Sequence, residues 1–242
     1  MKGQRSACVV LSGGILFLLA AILPTLAAAP ARFLPLDSLQ GLEFHNVTAN
    51  VVAYKGRKAV RLMDRGALPR RIDAESVAAE DTLAIVRGTN FENGTIDVDV
   101  AEQLTPGAPA AARGFIGVAF HVNRDTSKFE YIYLRPLNAR ANDQLQRNHS
   151  VQYSAYPDFP WYLSRKEFPG QYESYVDLVP GQWTHVRIEV HGLKARLYVN
   201  HSSQPCLIVN DLKHGITSGA VALKIGPGTE GYFSNLKIVP SI

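Results

Sequence analysis

Two alternating stretches between Arg113 and Pro136 constrain this chain more than any other feature. The first reads Arg113-Gly-Phe-Ile-Gly-Val-Ala-Phe-His-Val, the second Phe129-Glu-Tyr-Ile-Tyr-Leu-Arg-Pro, with a polar turn over 123–128 between them. Period-two alternation marks half-buried strands. Ile116, Val118, Phe120 and Val122 share one face, and Phe115, Gly117, Ala119 and His121 the other. In the second strand Ile132 and Leu134 join the aliphatic face, while Tyr131, Tyr133 and Arg135 lie opposite. Small residues beside aromatics leave a hollow, and hollows with polar tips bind ligands. The expectation is an antiparallel hairpin whose aliphatic side is covered and whose tyrosine side is open.

The remaining chain repeats the pattern. Strands are expected over 44–53 and 58–62, joined at Tyr54-Lys55-Gly56-Arg57, and over 83–86. Asn93-Gly94 is a turn signal, after which Ile96, Val98 and Val100 alternate with Asp97 and Asp99. Val186, Ile188 and Val190, then Leu193, Ala195, Leu197 and Val199, mark a hairpin turning at His191-Gly192; strands over 206–209, 219–225 and 232–239 follow. Asp73 to Asp81 reads as a loop or one short helix. A long irregular insertion is expected at about 137–172, rich in tyrosine, proline and charge, and long insertions in compact domains carry function more often than not. No span keeps helical periodicity. The fold class is all-β, an antiparallel sandwich.

The N-terminus reads as an export signal: basic Lys2 and Arg5, an apolar run from Val9 to Leu26, then an alanine cluster. The alternative is an uncleaved anchor, because the run approaches the ~18 residues that span a bilayer. Removing 1–31 leaves one domain, 32–242, in an exported, periplasmic or extracellular setting. It carries away two of the 25 basic residues and none of the 21 acidic ones, so the remainder is close to neutral and nucleic acid is not indicated. Cys206 then stands alone, which excludes an internal disulfide and leaves stability to an apolar core.

Few strings carry chemistry. Asp97 and Asp99 share a face and could serve as paired carboxylates; Glu102, three residues on, falls on the opposite face unless a bulge intervenes. Gly226-Pro-Gly228-Thr-Glu-Gly231 is followed by a strand rather than a helix, so it is a turn and not a dinucleotide site. The histidines have no zinc-ligand spacing, and no G-x-S-x-G elbow occurs. Cys206 reads as a buried thiol. The hairpin and insertion are richer. His121, Tyr131, Tyr133, Arg135, Arg140, Asp143, Arg147, His149, Tyr153 and Trp161 supply flat apolar rings and planar hydrogen-bonding groups, which together suit a sugar. Arginine's planar fork also suits a carboxylate or sulfate substituent. Asp97, Glu130, Asp143 and Glu173 are the carboxylates that could act as acid or base.

The successions Asn93-Gly-Thr-Ile-Asp-Val-Asp-Val, Arg113-Gly-Phe-Ile-Gly-Val-Ala-Phe and Phe129-Glu-Tyr-Ile-Tyr-Leu-Arg-Pro resemble the concanavalin A-like lectin/glucanase superfamily. Pro180-Gly-Gln-Trp-Thr-His-Val-Arg, Ala195-Arg-Leu-Tyr-Val-Asn and Gly231-Tyr-Phe-Ser-Asn-Leu-Lys-Ile fit as well. Within it the chain is similar to laminin-G-like domains and to 3-keto-disaccharide hydrolase-like domains of exported bacterial proteins. The resemblance implies a jelly roll that binds a carbohydrate or glycoside, hydrolyses one, or serves as a non-catalytic protein-interaction module. The family-16 glucanase signature is not reproduced, since Asp97 stands at its first position. No cofactor is implied; calcium occurs at loop rims in the superfamily, but no calcium loop is present here.

Overall fold

A computed structural model of the chain describes residues 29–65 and 82–241. The expected export signal and the 73–81 segment lie outside these, save 29–31. Alternation decides the architecture, because each strand with apolar residues at every second position needs a second layer to cover them. Two antiparallel sheets supply it.

One sheet runs β13 (Leu207–Val209), β12 (Lys194–Val199), β11 (Thr184–His191), β6 (Asn93–Leu104), β15 (Thr229–Ser241), β4 (Arg57–Asp64), β3 (Val47–Tyr54), with β1 (Arg32–Leu34) also beside β15. The other runs β10 (Glu173–Ser174), β9 (Val151–Tyr156), β8 (Phe129–Leu134), β7 (Ile116–Val122), β14 (Ala220–Ile225), β5 (Leu83–Val86), β2 (Leu42–His45). Val98, Val100, Val186, Ile188, Leu197 and Phe233 from the first meet Val118, Phe120, Ile132, Leu134 and Leu223 from the second, all essentially buried. Fully burying side chains of this kind contributes about 1.5–3 kcal/mol each. The two-sheet sandwich follows the sequence, but the single strand expected over 44–53 divides at Asn46, with φ +52°, into β2 and β3, which lie in different sheets.

Three further features depart from the sequence reading. The insertion is not irregular throughout. Val151-Gln-Tyr-Ser-Ala-Tyr forms β9, pairing with β8, and three short helices surround it: α1 (Pro136–Ala139), α2 (Gln144–Arg147) and α3 (Trp161–Glu167). After the insertion only Glu173–Ser174 pairs, as β10, although alternation over 173–178 suggests a longer strand. At the end of β7 the alternation breaks at a bulge: His121 has φ +54° and the register against β14 shifts between Ala220 and Ala222. Val122 therefore joins the outer cluster, and His121 turns to Phe91 and the carbonyl of Glu92.

The outer face of the β8 sheet is also apolar. Leu83, Ala119, Val122, Phe129, Tyr131, Tyr133 and Ala222 form a second buried cluster. The tyrosine side of the hairpin is thus closed, against expectation, with Tyr131 and Tyr133 only 7% and 6% exposed.

Candidate functional site

Pairing register lines up one row of side chains across the outer face: Lys224 beside Gly117, Gly117 beside Tyr133, Tyr133 beside Gln152, Gln152 beside Glu173. Helix α3 lies over the β9–β10 end of this row. Gln152 donates to the Ser164 hydroxyl at 3.1 Å, and Arg165 grips Glu173 with Nη2 at 2.8 Å and Nε at 3.3 Å. The hollow expected over Gly117 exists, lined by Phe115, Tyr131, Tyr133, Lys224 and Gly226. Its free space is about 20 Å³, room for roughly one water and not for a sugar ring.

Glu173 is the hub of the open end. Its carboxylate also lies 2.6 Å from Nδ1 of His149, off the line of a hydrogen bond, and 3.9 Å from Arg135. Arg135 donates to the Tyr133 hydroxyl at 2.7 Å, and its guanidinium sits 5.0 Å from that ring. Burial, reinforced by the field of Arg165, holds the His149 imidazole below its ordinary pKa, while Glu173 opposes this. Above the hub opens a cleft of about 510 Å³ lined by Leu145, Asn148, His149, Arg165, Pro169, Gly170, Glu173, Ser174 and Tyr175. Arg147 braces its rim, donating to the Tyr175 hydroxyl at 2.9 Å with its guanidinium 5.1 Å from the ring.

The structure thus gathers Arg135, Arg147, His149 and Glu173 at one place, with Trp161 beneath Arg165 at 4.9 Å. Other expected site residues stand elsewhere. Tyr153 points into the core, its hydroxyl accepting from the backbone of Lys213. His121 is buried by the bulge. Arg140 binds the Leu178 carbonyl and Asp177. Asp143 caps α2, accepting from the Gln146 N–H at 2.7 Å. Glu130 is fully buried on the core side, where it accepts from the His214 N–H at 2.7 Å and burial lifts its carboxyl to about 7. Asp97 lies on the opposite sheet, held by Arg187 at 2.7 Å. Glu102 faces inward from the same strand, as parity requires, and burial lifts it too to about 7. Cys206 is a free thiol whose pKa burial raises to about 11.

Sequence reasoning missed Arg165. Its spacing of four from Trp161, which places both on one face of a helix, was the available signal.

No family model matches the chain, and no curated protein matches it. Among solved structures, a Bacillus subtilis protein of unknown function with a galectin-like fold aligns with a TM-score of 0.53 at 10% identity, covering 88% of this chain and 95% of that one. A native glycosidic hydrolase aligns at 0.50 and 10% identity, covering 88% and 96%. The fold is that of the concanavalin A-like sandwiches. The cleft sits at the β10 edge of one sheet, walled by the insertion. Among the described residues no group of three or more His, Cys, Asp or Glu could hold a metal ion, and no helix is long and apolar enough to cross a membrane.

Proposed function

We propose that the chain is an exported carbohydrate-binding jelly-roll domain that takes a sugar or glycoside in the cleft over His149, Arg165 and Glu173. The observation that carries this is an exposed aromatic ring and an exposed aliphatic side chain set beside planar polar groups around one opening. Tyr175 is 39% exposed and Leu145 68% exposed, while Asn148, His149, Arg165 and Ser174 offer donors and acceptors beside them. Sugars present C–H patches and hydroxyls in alternation, so such a lining matches them. The cleft volume lies within the usual range for ligand sites, about 300–1,000 Å³. The fold, shared with a protein named as a glycosidic hydrolase, and the N-terminal signal pattern are in keeping with it.

Binding is favoured over hydrolysis by the carboxylate count. Most glycosidases set two carboxyl groups about 5–9.5 Å apart across the bond. Glu173 is the one carboxylate among the residues lining this cleft, and two arginines and a histidine already face it.

A glycan panel against the purified domain, read by calorimetry, tests the reading. Tyr175→Ala should weaken binding roughly fivefold, the value of one stacked ring at about 1 kcal/mol. Tyr153→Phe, buried on the core side, should leave affinity unchanged. A panel without hits would end the proposal.

A further inference from the structure

More positive than negative charge lies beneath the cleft. Two guanidinium groups, Arg165 at 2.8 Å and Arg135 at 3.9 Å, share the single Glu173 carboxylate. Arg135 is 4% exposed, and its Nε has no hydrogen-bond partner. The surrounding charges do not make up the difference. Asp177 is taken by Arg140 at 2.8 Å, Lys166 and Glu167 are one charge of each sign on α3, and Asp143 at the α2 cap does no more than balance Arg147 of the same helix. That leaves one positive charge in excess, with the Arg147 guanidinium placed at the rim. A buried cation without its own counter-charge is costly, and a cleft with low-dielectric walls focuses the resulting field toward its mouth.

The geometry points to an acidic saccharide, bearing a carboxylate or sulfate group, as the ligand of this cleft. Arg165 and Arg147 would meet the anionic group with the guanidinium N–H groups not already given to Glu173 and Tyr175, and Arg135 is the buried charge it neutralises. Glu173 holds the forks in place and at the same time repels the ligand. This rests on the carbohydrate reading above and narrows it.

Charge predicts a sign that ordinary contact loss does not. Calorimetry would compare three oligosaccharides of equal length: an oligogalacturonate, a sulfated galactan oligomer and a neutral galactan oligomer. One or both acidic oligomers should bind, more weakly as NaCl rises, and the neutral one should bind least. Arg165→Gln should lose about tenfold or more in affinity for the acidic oligomer, in line with a charged hydrogen bond. Glu173→Gln should bind it more tightly than the parent chain. Neutral binding equal to acidic, with Glu173→Gln weaker for both, would overturn the charge inference and leave the carbohydrate reading standing. Silence from all three oligomers would overturn both. Should Glu173→Gln fail to fold, Arg147→Gln at the rim decides. A severalfold loss confined to acidic oligomers supports the inference, and an equal loss for neutral and acidic ones overturns it.

Discussion

Arg165 holds Glu173 through two parallel contacts, Nη2 to Oε2 at 2.8 Å and Nε to Oε1 at 3.3 Å, and so ties α3 to the β10 edge. Bidentate pairing fixes direction as well as distance. Arg135, arriving from the end of β8, approaches the same carboxylate from within the sheet at 3.9 Å. The outcome of removing each charge is therefore unequal. Glu173→Gln leaves the buried Arg135 facing the half-buried Arg165 and should cost about 3 kcal/mol, the low end for a broken buried pair. Arg135→Met leaves a balanced pair and should cost less. Urea denaturation of both variants at neutral pH checks the order; a reversed order would mean Arg135 is valued for its Tyr133 bond more than for charge.

Two carboxyls far from the cleft set a pH dependence of stability. Glu102 and Glu130 are buried, and burial lifts both from an ordinary 4.5 to about 7. Below pH 4 both are protonated folded or unfolded and cost nothing. As pH rises from about 4.5 through 7 the unfolded chain ionises first, so stability falls across that window and stays low above it. The loss is on the order of 3 kcal/mol per group. Glu130→Gln keeps an acceptor for the His214 N–H while removing the titration. Its stability difference between pH 5 and pH 8 should be smaller than that of the parent chain, measured by denaturation at both; an unchanged difference would refute the assignment.

Strands were legible because burial on one face writes itself into every second residue, as Val98 and Val186 do across β6 and β11. β9 was not, because both of its faces are covered. Gln152 and Ser154 sit at 0% exposure, with Gln152 bonded to Ser164 of α3, so polar residues that suggest solvent are in fact inside. The bulge at His121 leaves no trace, since a positive φ at a non-glycine residue is set by the packing around it. The candidate site was half legible for a related reason. Arg135, His149 and Glu173 carry suitable chemistry, but only the docking of α3 brings Arg165 to them. The tyrosines of β8 read in the sequence as open rings and are buried in the outer cluster.

Gly117 is required by close approach and not by its own dihedral angles. A Cβ there would lie 2.2 Å from the Ile132 carbonyl oxygen and 2.6 Å from the Tyr133 Cα. Neither is the flexible end of a side chain, so β7 and β8 would have to separate. Gly117→Ala should therefore destabilise the domain by about 2–3 kcal/mol. Gly56→Ala, in an open turn with φ +80° and nothing within 4 Å, should cost only the left-handed backbone penalty, about 1–2 kcal/mol. Thermal melts of the two variants side by side test the distinction.

Lys213 anchors the segment that walls the cleft. Its Nζ lies 4.6 Å from the Phe159 ring centroid, 4.7 Å from Tyr172 and 5.1 Å from Phe168. Asp211 completes the cage at 2.7 Å and also accepts from the Tyr172 hydroxyl at 2.6 Å. Three rings and a carboxylate around one ammonium tie the insertion to the connection between β13 and β14. Each cation–π contact is worth about 0.5–1 kcal/mol at a partly exposed site. Lys213→Met keeps the aliphatic stem but loses the charge, so global stability should drop by only about 1–2 kcal/mol. The local effect should be larger, because Phe168 to Tyr172 runs directly into Glu173. Hydrogen exchange over 168–174 should speed up while exchange in β6 and β11 stays slow, and affinity at the cleft should fall with it. Uniform acceleration across the domain would mean that Lys213 supports the sandwich as a whole and not the cleft wall.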